Sequence, residues 1–186
     1  MNNYNSKEKQ ILLKVADDAI KHGLATHKIL PIKLGDYPEK LQALGASFVT
    51  LEINQQLRGC IGTLEAYQPL IQDVAQNAYA AAFRDPRFDP LTIEEYPNIT
   101  KHISILSPSS PMFFTSEDDL LRQIRPNVDG LVLSELGYRG TFLPSVWESL
   151  PEPKLFLQHL KLKAGLPENY WSKTLKVSRY TVEVVE

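Results

Sequence analysis

Apolar positions recurring at threes and fours mark the first element of the chain. Ile11, Leu12, Val15, Ala16, Ala19 and Ile20 fall on one stripe and predict a helix over residues 7–24, with Ser6 as its cap and Gly23 near its end. Residues 26–45 hold Pro31, Gly35, Pro38 and Gly45 and read as a connection, with a short strand or turn between Ile29 and Leu34. The period then drops to two. Phe48, Thr50 and Glu52 alternate with Val49, Leu51 and Ile53, which predicts a strand over 46–53. After the polar break Asn54-Gln55-Gln56 a second strand runs over 57–64, and the pair makes an antiparallel hairpin. Helical spacing returns over 68–83, where Pro69 suits a first helical position and Val74, Ala78 and Ala81 form a stripe of small residues. Pro86 stops this helix near Arg84.

Downstream, the run DPRFDP (85–90) is a proline-bounded loop, and 92–96 is one helical turn. Residues 99–106 form a strand with Ile99, Lys101, Ile103 and Ile105 on one face. A short helix over 116–124 opens on Ser-Glu-Asp-Asp, in the manner of a capping box. Strands over 131–136 and 138–143 are parted by Gly137, a helix over 151–164 is closed by Gly165, and 177–185 is a terminal strand. These elements do not alternate as regular βα units. They predict an α+β fold: a mainly antiparallel sheet with flanking helices, and one larger and one smaller lobe. No linker divides the chain, so residues 1–186 read as one domain, with the small lobe around 26–45 and 108–130.

The charge balance is near neutral, −2 from 20 basic and 22 acidic residues, and leaves no excess for phosphate neutralisation. General nucleic-acid binding is therefore not expected. No apolar run approaches the roughly 20 residues that span a bilayer, so no membrane association is expected. The polar start MNNYNSKEKQ and the lone cysteine predict a reducing, cytoplasmic setting. His22, His27, His102 and His159 sit in unrelated elements without a second ligand at metal spacing, so no metal or other cofactor is expected.

The chemistry centres on LRGCIG, residues 57–62, in which Cys60 lies between Gly59 and Gly62 within a strand. Glycine in a strand usually marks a bulge or the close approach of another group. Arg58 and Cys60 are two apart, which predicts side chains leaving the same face, where a guanidinium would favour the thiolate. The plainer reading of Cys60 is a small buried hydrophobe, as free cysteine commonly is. In Arg84-Asp85-Pro86-Arg87-Phe88 two arginines held by a proline suit a carboxylate or phosphate. The same string also reads as an ion-pair turn in which Asp85 takes an arginine and Phe88 plugs the core. Arg139, ahead of Gly140, is a further candidate on a cleft, and Arg58-Gly59 and Arg139-Gly140 make a faint internal echo.

In order, LRGCIGTL, AYAAAFRDPRFDPL, ISILSP, VDGLVL, YRGTFLPSVW and FLQHLKLKAGLP resemble the AMME chromosomal-region protein family, whose bacterial and archaeal members form part A of AmmeMemoRadiSam systems. The resemblance runs from the first helix to about Trp171 and departs from the family pattern at His102 and Ser145. It implies an α+β unit with a smaller lobe and a site around Arg58, Gly59, Cys60, Ile61 and Gly62, with Arg84, Asp85 and Arg87 matching the pattern. It further implies a shared pathway with a Memo-like protein and a radical S-adenosylmethionine protein. Two functions follow as expectations: a module binding an unidentified small ligand or such a partner at the LRGCIG cleft, or an enzyme or enzyme subunit using Cys60 as nucleophile or redox thiol.

Overall fold

Burial of apolar stripes explains most of the elements in the computed structural model, which describes residues 4–186. In chain order these are α1 (Ser6–Thr26), α2 (Glu39–Gln42), β1 (Leu44–Ile53), β2 (Gln56–Gly62), β3 (Gln68–Pro69), α3 (Leu70–Phe83), β4 (Ile99–Leu106) and β5 (Ser110–Pro111). They continue with α4 (Glu117–Gln123), β6 (Gly130–Glu135), β7 (Tyr138–Phe142), α5 (Pro153–Ala164), β8 (Lys176–Tyr180) and β9 (Val182–Val185). Short 3₁₀ turns occupy Leu34–Asp36, Tyr96–Asn98 and Pro144–Glu148. The α+β class with antiparallel pairing and flanking helices is as expected. The chain forms two compact units, one of Met1–Leu106 with Glu183–Glu186, the other of Ser107–Val182.

In the first unit the sheet runs β2-β1-β4-β9, and β3 pairs with the start of β1. The β1–β2 hairpin turns on Asn54 and Gln55, both at positive φ (52° and 64°). That is the mirror-image turn whose twist matches the flanking strands. Gln56 therefore belongs to β2 rather than to the break, and β2 stops at Gly62 instead of continuing to Leu64. One face of β1 and β4 buries Val49, Leu51, Ile103 and Ile105 with Leu12, Val15 and Ile20 of α1 and Ile71 and Val74 of α3. Each such side chain contributes roughly 1.5–3 kcal/mol of apolar transfer. Asn5, not Ser6, caps α1: its side chain accepts from the Glu8 N–H while Glu8 reaches back to the Asn5 N–H.

Asp73 of α3 lies within this core, fully buried, and ties its layers together. Its carboxylate accepts from the N–H and hydroxyl of Ser47 (2.8 and 2.7 Å), from Thr63 (2.6 Å), and from the side-chain amides of Gln68 (3.1 Å) and Asn77 (2.9 Å). A buried carboxylate is tolerated when donors surround it in this way.

The second unit carries a sheet of order β5-β8-β6-β7. Its core is anchored by Trp147 stacked on Phe156, ring centroids 3.8 Å apart, with the indole N–H donated to the Asp129 carbonyl at 2.8 Å. Ser116 caps α4 as its sequence predicts, accepting from the Asp119 N–H. Gly165, at φ 90°, closes α5 in the left-handed region. Gly140 of β7 lies against α5, where an added Cβ would come within 3.0 Å of the Ala164 Cβ and backbone nitrogen. Among the described residues no helix is long and apolar enough to cross a membrane.

Candidate functional site

The geometry around Cys60 follows from where β2 sits. Among the described residues only β1 pairs with it in the sheet order, so the other side of β2 is an edge. Cys60 faces Thr50 across the hairpin, and its own N–H and C=O point outward. The loop after α3 seals them. The Cys60 N–H donates to Asp85 Oδ2 at 2.9 Å, and the Cys60 carbonyl accepts from Arg87 Nη2 at 3.3 Å. Asp85 and Arg87 are themselves forked together, Nε to Oδ1 at 2.9 Å and Nη2 to Oδ2 at 2.7 Å, with the Arg87 N–H a further donor at 3.1 Å. Hydrogen bonding from the Arg87 side chain, aided by the two backbone N–H groups and opposed by burial, holds the Asp85 carboxyl well below the usual carboxylate range. The ion-pair turn is thus realised at Asp85, with Pro86 fixing the corner.

The register of β2 shifts at Arg58. Leu57 stands opposite Glu52 and Gly59 opposite Leu51, so Arg58 is the extra residue of a β-bulge. Simple alternation does not carry across it. The guanidinium leaves for the loop, giving Nε to Glu95 Oε1 at 2.8 Å and Nη2 to Glu95 Oε2 at 2.9 Å, with Nη2 also donating to the Asp89 carbonyl at 2.9 Å. Arg58 hydrogen bonds in turn lower the Glu95 carboxyl to about 2, against an ordinary value of 4.5. The arginine that comes to Cys60 is Arg87, whose guanidinium is held charged by Asp85 and reaches the Cys60 carbonyl. The expected Arg58–thiol pair is replaced by an Arg87–Cys60 neighbourhood.

Both glycines of the string serve close approach, and the approaching groups belong to the protein. A Cβ on Gly59 would stand 2.1 Å from the Ala81 carbonyl oxygen of α3, and one on Gly62 would stand 2.2 Å from the Phe48 ring. Ile61 packs against the core beneath. Half-buried Cys60 turns its sulfur to the Thr50 hydroxyl, which donates at 3.2 Å. His102 faces Thr50 from the other side, so the three residues form a row across β2, β1 and β4. His102 lies 3.5 Å from Glu52 and 3.2 Å from Glu186.

Beside this edge lies a shallow hollow of about 430 Å³ lined by Arg58, Arg87, Phe88, Asp89, Pro90, Thr92 and Glu95. Phe88 is a half-buried wall here and no part of the core cluster; the Arg58 and Arg87 guanidiniums stand over its ring at 5.7 and 5.6 Å. Arg58 Nη1 is buried and has no hydrogen-bond partner among the described residues. Arg84 stands over Tyr79, 5.2 Å from the ring centroid. The first unit thus brings together Arg58, Cys60, Asp85 and Arg87; Arg139 belongs to β7 of the second unit. Sequence reasoning missed Glu95, Asp89 and Thr50. Nothing local announces Glu95, which lies 37 positions from Arg58; Thr50 follows from hairpin register once the turn is known. Among the described residues no group of three or more His, Cys, Asp or Glu side chains is arranged to hold a metal ion.

The AMMECR1 family model matches residues 13–185 of the chain. A protein of Methanocaldococcus jannaschii is 34% identical over 188 residues, 97% of this chain and 90% of its own length. A protein of Thermotoga maritima is 38% identical over 149 residues, 78% of this chain and 80% of its own. The crystal structure of the uncharacterized protein PH0010 from Pyrococcus horikoshii superposes with a TM-score of 0.87 at 32% identity, covering 95% of this chain and 89% of that one.

Proposed function

This chain belongs to the AMMECR1 family, and from that premise we propose that it is a binding module whose contact surface is the LRGCIG edge and the hollow beside it. The observation that carries the reading is Arg58 Nη1, a charged donor of a residue on the wall of the hollow, buried and lacking an acceptor among the described residues. An orphaned donor of this kind costs about 1–3 kcal/mol, which an incoming acceptor oxygen offsets. A carboxylate or a backbone carbonyl of a ligand or partner chain supplies that oxygen, and the Phe88 ring gives it an apolar neighbour. The family resemblance implies Memo-like and radical S-adenosylmethionine proteins as the partners that present it.

Calorimetric titration of the purified partners onto the intact chain tests this. Arg58→Ala is expected to weaken binding at least tenfold, while Cys60→Ser leaves it unchanged. Absence of binding by either partner at micromolar concentration, or full binding by Arg58→Ala, overturns the reading.

A second reading, Cys60 as nucleophile or redox thiol, draws support from the Arg87 guanidinium that reaches the Cys60 carbonyl and from the Thr50 hydroxyl donated to the sulfur. Iodoacetamide alkylation followed against pH separates the two. Thiol reactivity that rises well below the ordinary titration near 8.5, and that is lost in Arg87→Ala, favours chemistry; an inert thiol removes it.

A further inference from the structure

The second unit carries an apolar ridge that its own core does not use. α5 buries Phe156, Leu157, Leu160 and Ala164 against the sheet side. Leu155 and Leu162 fall outside that stripe and are 41% and 50% exposed. They are seven positions apart, or two turns, so they leave one face of the helix about 10 Å from each other. The row continues past the helix end. Gly165 closes α5 without a side chain, and the Tyr138 ring lies over it: a Cβ on Gly165 would stand 3.2 Å from Tyr138 Cδ1. Gly165 is one turn beyond Leu162, so Tyr138, 51% exposed, extends the row. Leu136, 82% exposed, lines a common hollow with Tyr138 at the β6–β7 turn.

An exposed apolar side chain on its own is ordinary; an apolar row along one helix face is the mark of an interaction surface. None of these four residues belongs to the core cluster of the second unit or packs against it. Internal packing therefore does not account for them. A straight row with a seven-residue repeat matches the face of a second helix laid alongside, whose own apolar positions recur at the same interval.

The charges choose the occupant. Lys154 and Lys163 border the ridge, about 100° to one side of Leu155 and about 80° to the other. From Lys154 to Gly165 the chain holds no Asp or Glu. Asp118 and Glu152 line a hollow with Arg122 and Lys154 where α5 begins, so charge is balanced there and positive toward Lys163, which also stands over the Phe142 ring at 5.0 Å. A second copy laid α5 on α5 brings only further lysines to this seam and no carboxylate to meet them. An anionic membrane is held by clusters of roughly 4–8 basic residues, and this face presents two lysines. We infer that the ridge is the docking face for an amphipathic helix of another protein. The apolar stripe of that helix sits on Leu155, Leu162 and Tyr138, and its bordering Asp or Glu residues meet Lys163.

The probe is a three-heptad helical peptide with Leu at its two seam positions and Glu at the flanking ones; its twin carries Lys in place of Glu. Each is titrated onto the ¹⁵N-labelled full chain by NMR. Saturable shifts confined to residues 154–165 and the β6–β7 hairpin are expected with the Glu peptide, and at least tenfold weaker binding with the Lys twin. Leu155→Ser and Leu162→Ser, both at exposed positions, weaken the Glu peptide at least tenfold. Lys163→Glu reverses the preference between the two peptides, an outcome that general stickiness does not produce, and it carries the test should a serine variant not fold. Absence of saturable shifts at about 1 mM peptide, equal binding of the two peptides, or undiminished binding by the serine variants overturns the assignment. So does self-association of the chain, or binding to phosphatidylserine vesicles, that Leu162→Ser abolishes. The Arg58 surface belongs to the first unit and plays no part in any of these outcomes.

Discussion

Adding one methyl group at Gly59 tests why that glycine is there. The Cβ of Gly59→Ala would stand 2.1 Å from the Ala81 carbonyl oxygen and 3.1 Å from its carbon, where ordinary contacts begin at 3.4 Å. The obstacle is helix backbone, not the end of a flexible side chain, so α3 must retreat by about 1 Å or more from the sheet. The opposite face of α3 is fully packed against α1, which leaves it nowhere to go without strain. Overpacking costs about 1–3 kcal/mol and this case falls at the upper end. Relief of glycine's strand entropy returns about 0.5–1 kcal/mol. The expected net loss is about 2 kcal/mol, or some 4–8 °C in Tm for a chain of this length. Urea melts followed by circular dichroism measure it, and amide hydrogen exchange localises it to α3 and β2. Gly35→Ala, with nothing within 4 Å, is the control and is expected within about 0.5 kcal/mol of the parent. A Gly59→Ala protein as stable as its parent would refute the packing argument and return Gly59 to a ligand.

Gly140→Ala brings its Cβ only to 3.0 Å from Ala164, so a smaller loss of about 1 kcal/mol is expected in the same melts. Asp73→Ala removes the acceptor of the buried Ser47 N–H and hydroxyl and one of the Asn77 amide's acceptors, and is expected to cost about 3 kcal/mol, read as a lower urea midpoint. The acid limb of stability carries the Arg58–Glu95 pair. The Glu95 carboxyl titrates lower folded than unfolded, so its contribution is complete above its ordinary 4.5 and is lost as pH falls toward about 2. Glu95→Gln should therefore flatten the pH dependence of the urea midpoint over that interval, and an unchanged slope would count against the pair.

The long elements were legible because their apolar spacing is imposed by one buried face. The stripe of α1 named the core residues Leu12, Val15, Ala16, Ala19 and Ile20, and the alternation in β1 separated Val49 and Leu51 from Thr50 and Glu52. Ends were less legible. Ser6 and Asn5 are equally good caps by type, and only the backbone geometry chooses Asn5. Pro69 lies just before α3, its residue pairing with Leu44 as part of β3, a segment too short to have a period. At the site, Asp85 and Arg87 could be paired from the sequence because they are two apart and held by Pro86. The Arg58 direction could not, because a bulge leaves no mark on hydrophobic alternation and Glu95 is distant in the chain. The echo of Arg58-Gly59 in Arg139-Gly140 has a physical basis: each glycine lets an alanine-bearing helix lie against its strand, Ala81 in one unit and Ala164 in the other.

The clamp of Asp85 and Arg87 over the Cys60 main chain also dictates how a visitor can be greeted. An open sheet border invites any extended peptide to lengthen it through generic amide pairing, a handshake that ignores sequence and leads as readily to fibrils as to recognition. With that rung already occupied from within, Cys60 offers no main-chain pair to an arriving strand, and lengthening of the sheet at this border is blocked.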